Sequence, residues 1–307
     1  IADLRPIISA KLPVEDPVLW NGRKNPYLYT VRCEIFDSTT QEVTDNIDIR
    51  TGLREYHIDS HKGFFLNGEH IKLQGVSRHQ DRENMGNAIT EKQHAEDIKI
   101  ILDVGANSVR LAHYQQNSYF YDLCDESGLL VWAEVPVISR FSPKRNENAE
   151  QQLVELIKQN YNHPSIFCWG IENEITIAGS ANKKLITFLK HMHKVARHLD
   201  PTRYTTCAQL TMCPVNSPLN HITDIIGYNH YYGWYMGSCD EINNWLDEWH
   251  RENPEGKLCL SEYGAEGITK YHSDSPVQGD YSEDYQAIYH EHYIKSINER
   301  DWLWGSY

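Results

Sequence analysis

Ser165-Ile-Phe-Cys-Trp-Gly-Ile-Glu-Asn-Glu174 is an apolar run that ends in carboxylates. A short apolar run of this length is typical of a strand that is buried on both faces. A second run of the same kind lies downstream, where Lys257-Leu-Cys-Leu260 is followed by Ser261 and Glu262. Each predicted strand therefore delivers a Glu at its carboxyl end. We predict that Glu174 and Glu262 face each other across one reacting bond.

The overall composition excludes several classes of partner. The chain has 307 residues, of which 40% are hydrophobic, and its net charge is −14. So negative a chain is a poor match for nucleic acid or an anionic membrane surface. No apolar run approaches the roughly 18 residues that a membrane span needs. The sequence predicts a soluble protein and leaves its compartment open between cytoplasm and periplasm, because Ile1-Ala-Asp3 is neither an initiator Met nor a signal peptide.

The cysteines do not form a recognisable metal or disulfide pattern. Seven are scattered through the chain, several of them inside apolar runs. There is no Cys-x-x-Cys and no His-Glu-x-x-His, the spacings that zinc and dithiol chemistry require. We expect reduced, largely buried cysteines and no cofactor.

Residues 1–53 are β in character. Residues 27–35 alternate between apolar and polar side chains, and Ile47 and Ile49 repeat the alternation after the turn-like stretch 37–40. This pattern predicts the carboxyl-terminal part of an antiparallel, immunoglobulin-like β-sandwich domain.

Residues 54–307 alternate between strand and helix. The Thr90-x-x-Gln93 capping box opens one predicted helix, and an apolar stripe marks another over 182–199. Residues 209–223, with two prolines, are predicted to be irregular. The strands fall at 71–76, 107–112, 129–135, 165–170, 204–208, 224–229, 257–262 and 302–306. Eight strands in this rhythm predict an α/β fold, a (β/α)₈ barrel that lacks its last helix.

Polar and aromatic side chains crowd the predicted carboxyl ends of these strands, which is where such barrels place their chemistry. Sugars are bound by this mixture, because hydroxyls need hydrogen-bond partners while C–H faces stack on rings. The residues concerned lie within 77–81, 110–114, 172–174, 229–235 and at Glu134 and Glu262.

Taken in order, these motifs resemble glycoside hydrolase family 2, which includes β-galactosidases, β-glucuronidases and β-mannosidases. The stretches that carry the resemblance are Gly63–Gly68, Gly75–Asp81, Asn107–Tyr114, Asn162–Ile166, Trp169–Glu174 and Ser261–Ala265. The resemblance implies that Glu174 is the general acid/base and Glu262 the nucleophile. It also implies substrate contacts for His79, Asp81, Arg110, His113, Asn173 and Tyr231.

Some assignments stay open at this stage. Glu172 lies two residues before Glu174, and on a strand both would point to the same face, so Glu172 competes for the acid role. Glu134 is expected to accept hydrogen bonds rather than to react. The magnesium-binding Glu and His that some β-galactosidases of the family carry after the third strand are absent from Ala133–Arg140. We therefore predict no metal.

The function that follows is a retaining exo-β-glycosidase that hydrolyses terminal β-D-galactosides through a covalent glycosyl-enzyme intermediate. A β-glucuronidase of the same family is the alternative, and a catalytically silent carbohydrate-binding fragment is another. The expected partner is a glycoside or oligosaccharide, with a homo-oligomer left open.

Overall fold

The amino-terminal part of the chain forms small antiparallel sheets. The computed structural model describes residues 9–307. Its first strands are β1 (Trp20–Asn21), β2 (Asn25–Pro26), β3 (Tyr29–Phe36), β4 (Val43–Thr51), β5 (Tyr56–Asp59), β6 (Gly63–Leu66) and β7 (Glu69–Ile71). The long pair β3–β4 is the predicted antiparallel sandwich element, with Val31 opposite Ile49 and Cys33 opposite Ile47.

The sheet β5–β6–β7 covers the amino-terminal end of the barrel. Ile58, Phe64 and Leu66 are buried in one apolar cluster with Phe167 and Trp304, which lie near the starts of barrel strands. This contact fixes the sheet against the barrel and leaves the opposite end of the barrel open for chemistry.

Eight parallel strands close into a barrel, as predicted. They are β8 (Leu73–Arg78), β9 (Ser108–Leu111), β10 (Leu130–Glu134), β11 (Ile166–Asn173), β12 (Tyr204–Leu210), β13 (Ile225–Asn229), β14 (Leu258–Glu262) and β15 (Gly305–Ser306). Neighbours along the chain are neighbours in the sheet. The pairing of Gly305 with Leu73 and of Ser306 with Gln74 closes the ring.

Six α-helices surround the barrel in the part of the chain that the structure describes. They are α1 (Glu91–Asp103), α2 (Ser118–Ser127), α3 (Asn146–Asn160), α4 (Lys183–Leu199), α5 (Glu241–Glu252) and α6 (Glu283–Asn298). The capping box between Thr90 and Gln93 begins α1, as the sequence predicts. The stretch between β12 and β13 holds only a short 3₁₀ turn, Pro218–His221, so its irregular character is also confirmed.

Trp132 packs in the barrel interior against Trp304 and Tyr307, and two glycines make room for it. A side chain at Gly170 would place its Cβ 2.5 Å from the indole nitrogen of Trp132, and one at Gly227 would lie 2.8 Å from its ring. Contacts this close are sterically forbidden, so neither position accepts another residue without displacing the indole. The guanidinium of Arg110 lies 4.8 Å above the Trp132 ring, in cation–π contact. Trp132 thus supports the floor of the candidate site.

The cysteines are reduced, as the sequence predicts. All seven cysteines are free, and all are buried or half-buried apart from the exposed Cys33. Within residues 9–307, no helix is long and apolar enough to cross a membrane.

Candidate active site

Glu262 ends β14 and is held by a donor on each carboxylate oxygen. Arg110 donates from Nη1 to Oε1 at 2.6 Å, and the Tyr231 hydroxyl donates to Oε2 at 2.7 Å. His113 Nε2 lies 3.7 Å from Oε1. The side chain keeps 17% of its surface exposed. Glu262 is therefore fixed in orientation yet open on the side from which a substrate can approach.

Arg110, on β9, is the central cation of the site. Its guanidinium is completely buried and also donates to Glu134 Oε1 at 2.5 Å and to Asn173 Oδ1 at 2.7 Å. Burial by itself lowers the pKa of Arg110, but the charges of Glu134 and Glu262 outweigh it and raise the pKa overall. The guanidinium remains charged and counterbalances the two carboxylates beside it.

Glu134 ends β10 and accepts hydrogen bonds next to Glu262, as the sequence suggests. It receives hydrogen bonds from Arg110 Nε and, at 3.0 Å, shares one with His113 Nδ1. Burial alone would raise its pKa, but the Arg110 charge and the His113 hydrogen bond reverse this effect and lower the pKa. It therefore stays ionised and orients the two side chains that contact Glu262.

Glu174 lies one residue beyond β11, in a left-handed backbone conformation with φ of 48°. Its amide donates to the carbonyl of Ala208 at 2.8 Å, which fixes this conformation. Asn229 donates to its Oε1 at 3.0 Å. Burial raises the pKa of Glu174; the Asn229 hydrogen bond opposes this shift, and the negative charge of Glu262 adds to it. A raised pKa is what a general acid needs near neutral pH.

A continuous chain of hydrogen bonds connects the two candidate carboxylates. Asn173 Oδ1 accepts from Arg110 and, at 3.2 Å, from Asn229 Nδ2, which also reaches Glu174. The path runs from Glu262 through Arg110, Asn173 and Asn229 to Glu174. The structure therefore brings together two acids that are 88 positions apart in the sequence, and it holds both through the same network.

Sequence reasoning missed the role of Asn229. Its side chain is fully buried at the end of β13, and its Oδ1 accepts from the Ser261 hydroxyl at 2.7 Å. The available signal was its position, since a polar residue at the carboxyl end of a barrel strand points to the site.

His79, His113 and Tyr231 share a cavity of about 690 Å³ with Glu262. The rings of His79 and His113 meet edge to face at 5.2 Å. Burial lowers the pKa of His79, and the neighbouring His113 lowers it further. Asp81 is exposed and, within residues 9–307, has no hydrogen bond or ion pair from its side chain. The structure thus brings together five of the six predicted contact residues, and a substrate contact by Asp81 stays a prediction.

The expectation that Glu172 shares a face with Glu174 is wrong. The strand ends at Asn173, so the two-residue repeat does not extend to Glu174. The carboxyl of Glu172 is buried between β11 and β12, where it accepts from Gln209 at 2.9 Å and from the Ile175 amide at 3.1 Å. Glu172 therefore supports the backbone around Glu174 rather than competing with it for the acid role.

Asp122, Asp125 and His163 are the one group of acidic and histidine side chains, among residues 9–307, that could share a metal ion. Asp122 and Asp125 lie at the end of α2, just before β10 begins, and His163 lies just before β11 begins. They are therefore at the amino-terminal end of the barrel strands, opposite Glu174. Asp125 already accepts from Ser165 N at 3.1 Å and shares a hydrogen bond with His163 at 2.6 Å. The absence of a metal at the candidate active site stays a prediction.

Comparison with known proteins identifies the family. The family described as glycosyl hydrolases family 2, TIM barrel domain, matches residues 58–302, and glycosyl hydrolases family 2 matches residues 2–54. The chain belongs to glycosyl hydrolase family 2. The fold and the family that the motifs suggested are both confirmed.

Among curated relatives, a β-glucuronidase of Bacteroides fragilis is 40% identical over 98% of this chain and 44% of its own length. Among solved structures, an FMN-binding β-glucuronidase from F. prausnitzii L2-6 has a TM-score of 0.92 and 46% identity, covering 96% of this chain and 45% of that one. Bacteroides uniformis β-glucuronidase 2, covalently bound to cyclophellitol-6-carboxylate aziridine, has a TM-score of 0.91 and 34% identity, with coverage of 96% and 37%. The family 2 chain thus spans less than half the length of each. Other relatives are named β-galactosidases.

Proposed function

We propose that this family 2 chain forms the catalytic centre of a retaining β-glucuronidase in which Glu174 is the acid/base and Glu262 the nucleophile. The observation that carries the proposal is the hydrogen-bond path between the two carboxyls, together with their different environments. Glu262 has a buried guanidinium on one oxygen and a phenol on the other. Among the residues that the structure describes, only the neutral Asn229 amide donates to the Glu174 carboxyl, whose pKa is raised. One carboxyl is therefore set up to attack and the other to deliver a proton.

In the first step, an oxygen of Glu262 forms a bond to the anomeric carbon while the bond from that carbon to the leaving oxygen breaks. Glu174 transfers its proton to the departing oxygen, so the leaving group departs as a neutral alcohol. Arg110 and Tyr231 hold the Glu262 carboxylate in the orientation for attack. Asn173, whose side chain lies between Arg110 and Asn229, can contact a sugar hydroxyl next to the reacting carbon.

In the second step, water replaces the leaving group. Glu174, now ionised, takes a proton from this water, and the resulting hydroxide oxygen bonds to the anomeric carbon as the bond to Glu262 breaks. Both residues return to their starting states. Two inversions at one carbon give net retention of configuration.

The choice of a glucuronide rests on the relatives. The sequence reasoning favoured a galactoside, and the comparisons do not confirm it, because the curated relative at 40% identity and the solved structure at 46% identity are both named β-glucuronidases. A solved structure from Bacteroides fragilis that is named a putative β-galactosidase is 38% identical. The covalent adduct of the B. uniformis enzyme carries a carboxylate on its ring, and it supports both the glucuronide and the covalent intermediate. A β-galactosidase remains the second candidate, since a Thermoanaerobacter pseudethanolicus relative with that name is 32% identical.

Hydrolysis of paired substrates tests the proposal. The full protein is incubated with 4-nitrophenyl β-D-glucuronide and with the β-D-galactoside, and NMR records the first anomer released. We expect the glucuronide to turn over preferentially and to release the β-anomer. Glu262→Gln and Glu174→Gln should each lose most activity, whereas Glu252→Gln, an exposed change on α5, should lose none. Preferential turnover of the galactoside would overturn the substrate assignment, and release of the α-anomer would overturn the mechanism.

A further inference from the structure

A second cavity, of about 450 Å³, lies beside the acid/base strand and has a cationic lining. The loop after β10 and the start of α3 form its walls. Arg140, Lys144 and Arg145 line it, and no acidic residue of the described part of the chain does. This stands out in a chain with a net charge of −14. The local electrostatic potential at the cavity is therefore expected to be positive, opposite in sign to the protein as a whole.

The three cations have no internal counter-charge. Within residues 9–307, no salt bridge involves Arg140, Lys144 or Arg145. One wall of the cavity is aromatic, because Phe141 packs against Phe188 with ring centroids 5.5 Å apart. A cavity of this kind matches a ligand that combines a flat apolar body with a negative group.

The cavity is joined directly to the segment that carries Glu174. The amide of Asn173 donates to the carbonyl of Val137 at 2.9 Å, and the amide of Ser139 donates back to the carbonyl of Asn173 at 3.0 Å. On the other side of Glu174, the amide of Ala178 donates to the carbonyl of Ser139 at 3.2 Å. The loop is thus anchored on both sides of the acid.

The general acid lies on the side of the leaving group, because its proton goes to the leaving oxygen. The sugar itself is expected against Glu262, His79 and His113, in the larger cavity. The cationic cavity is lined by neither Glu262 nor either histidine. Glu174 does not line it either, and the cavity meets the acid through the loop that is hydrogen-bonded to Asn173 and Ala178. This link puts the cavity next to the acid, and hence on the side of the leaving group.

We infer that the cavity lined by Arg140, Lys144 and Arg145 binds a negatively charged group on the leaving group, so that the enzyme favours glycosides of anionic aromatic alcohols. This inference rests on the proposed hydrolase function. It adds a preference for the leaving group to the choice of sugar, and the two can be tested separately.

The test compares two aryl β-D-glucuronides whose leaving groups have matched acidity, one neutral and one bearing a sulfonate. We expect the wild type to have the higher kcat/KM for the sulfonate at low ionic strength, with the advantage shrinking as salt is added. Since an exposed ion pair contributes about 0.2–1 kcal/mol, each single change to Gln should reduce this advantage by about 1.5- to 5-fold. The triple variant Arg140→Gln/Lys144→Gln/Arg145→Gln should abolish it and leave the neutral substrate within about twofold of wild type.

Lys158→Gln is the matched control, since this exposed lysine lies on α3 outside the cavity lining. It should leave the preference intact. If the wild type hydrolyses both glucuronides equally, the leaving-group inference is wrong while the glucuronidase proposal stands. If the preference persists in the triple variant, the cavity is not its source. If neither glucuronide is hydrolysed but the galactosides are, the sugar assignment fails, and the same comparison is made with the galactoside pair.

Discussion

Replacing Arg110 by Met should separate the electrostatic role of this residue from its packing. Methionine fills much of the same volume against Trp132 but carries no charge. The Glu134 side chain is only 2% exposed, and the change removes the guanidinium that balances its negative charge. Glu262 and Asn173 lose their shared donor at the same time. We therefore expect losses of both stability and activity.

The size of the stability loss follows from burial. Removing one partner of a buried ion pair typically costs about 3–5 kcal/mol, because the other charge remains desolvated. Most of that cost should come from Glu134, since Glu262 is partly exposed to water. Adding Glu134→Gln should therefore recover at least about 2 kcal/mol of stability. It should not recover activity, because Glu262 still lacks its donor.

The loss should also depend on pH in a defined direction. In the wild type the folded-state pKa of Glu134 is lowered, so its stabilising contribution is present above its unfolded pKa and is lost as pH falls. In Arg110→Met, burial without the guanidinium should instead raise that pKa, so stability is lost as pH rises. The difference in the free energy of unfolding between the wild type and Arg110→Met should be largest near neutral pH and should become smaller toward about pH 4.

Urea unfolding followed by tryptophan fluorescence at pH 7 and pH 5 measures these differences. Arg251→Met is the control, since Arg251 is exposed on α5 and, among residues 9–307, pairs only with Glu252 at 3.3 Å. It should cost no more than about 1 kcal/mol. The reasoning is refuted if Arg110→Met loses less than about 1 kcal/mol at pH 7, or if Glu134→Gln destabilises it further.

Three further outcomes follow from the site. Because Glu174 must be protonated to act as the acid and its pKa is raised, kcat/KM should fall as pH rises through that pKa. Glu174→Gln should remove this alkaline limb of the pH profile and lower kcat/KM by about 10²–10⁴-fold for substrates with poor leaving groups. Tyr231→Phe removes the 2.7 Å hydrogen bond to Glu262 and should lower kcat by about 10- to 100-fold with a smaller change in KM, as steady-state kinetics would show. Burial raises the pKa of Glu172 to about 8, so its carboxyl is protonated in the folded protein at neutral pH. The stability of the wild type relative to Glu172→Gln should therefore fall as pH rises from about 4.3 to 8, which urea unfolding of both proteins across that range would detect.

The barrel can be predicted because two features of the sequence indicate its strands. Each is an apolar run of the right length, and most end in polar residues that an ordinary buried strand would not carry. The last strand is shorter than predicted, because among residues 302–306 only Gly305–Ser306 form a strand. Its two residues nevertheless pair with both neighbours, and this is what closes the ring.

The side-chain network could not be predicted in the same way. Whether Asn229 contacts Glu174 or solvent depends on how β11 and β13 are staggered, and single-sequence patterns do not specify that stagger. The error at Glu172 has a local cause. A two-residue repeat was extended one residue beyond the strand, to a position where the backbone turns into a left-handed conformation. A non-glycine residue in that conformation gives no signal in the pattern of apolar and polar residues.

That conformation explains why the acid and the nucleophile differ in their environments. Glu262 ends its strand within the ladder, where Arg110 can reach it from inside the barrel. Glu174 has left the ladder, so its carboxyl receives a neutral amide rather than the guanidinium. Left-handed backbone costs a non-glycine residue about 1–3 kcal/mol, and the conformation persists only when the surroundings determine it. Here the Ala208 carbonyl accepts from the amide of Glu174 itself, and the buried Glu172 carboxyl accepts from the amide of Ile175. The same strand end that strains the backbone therefore also keeps the acid away from the cation that would ionise it.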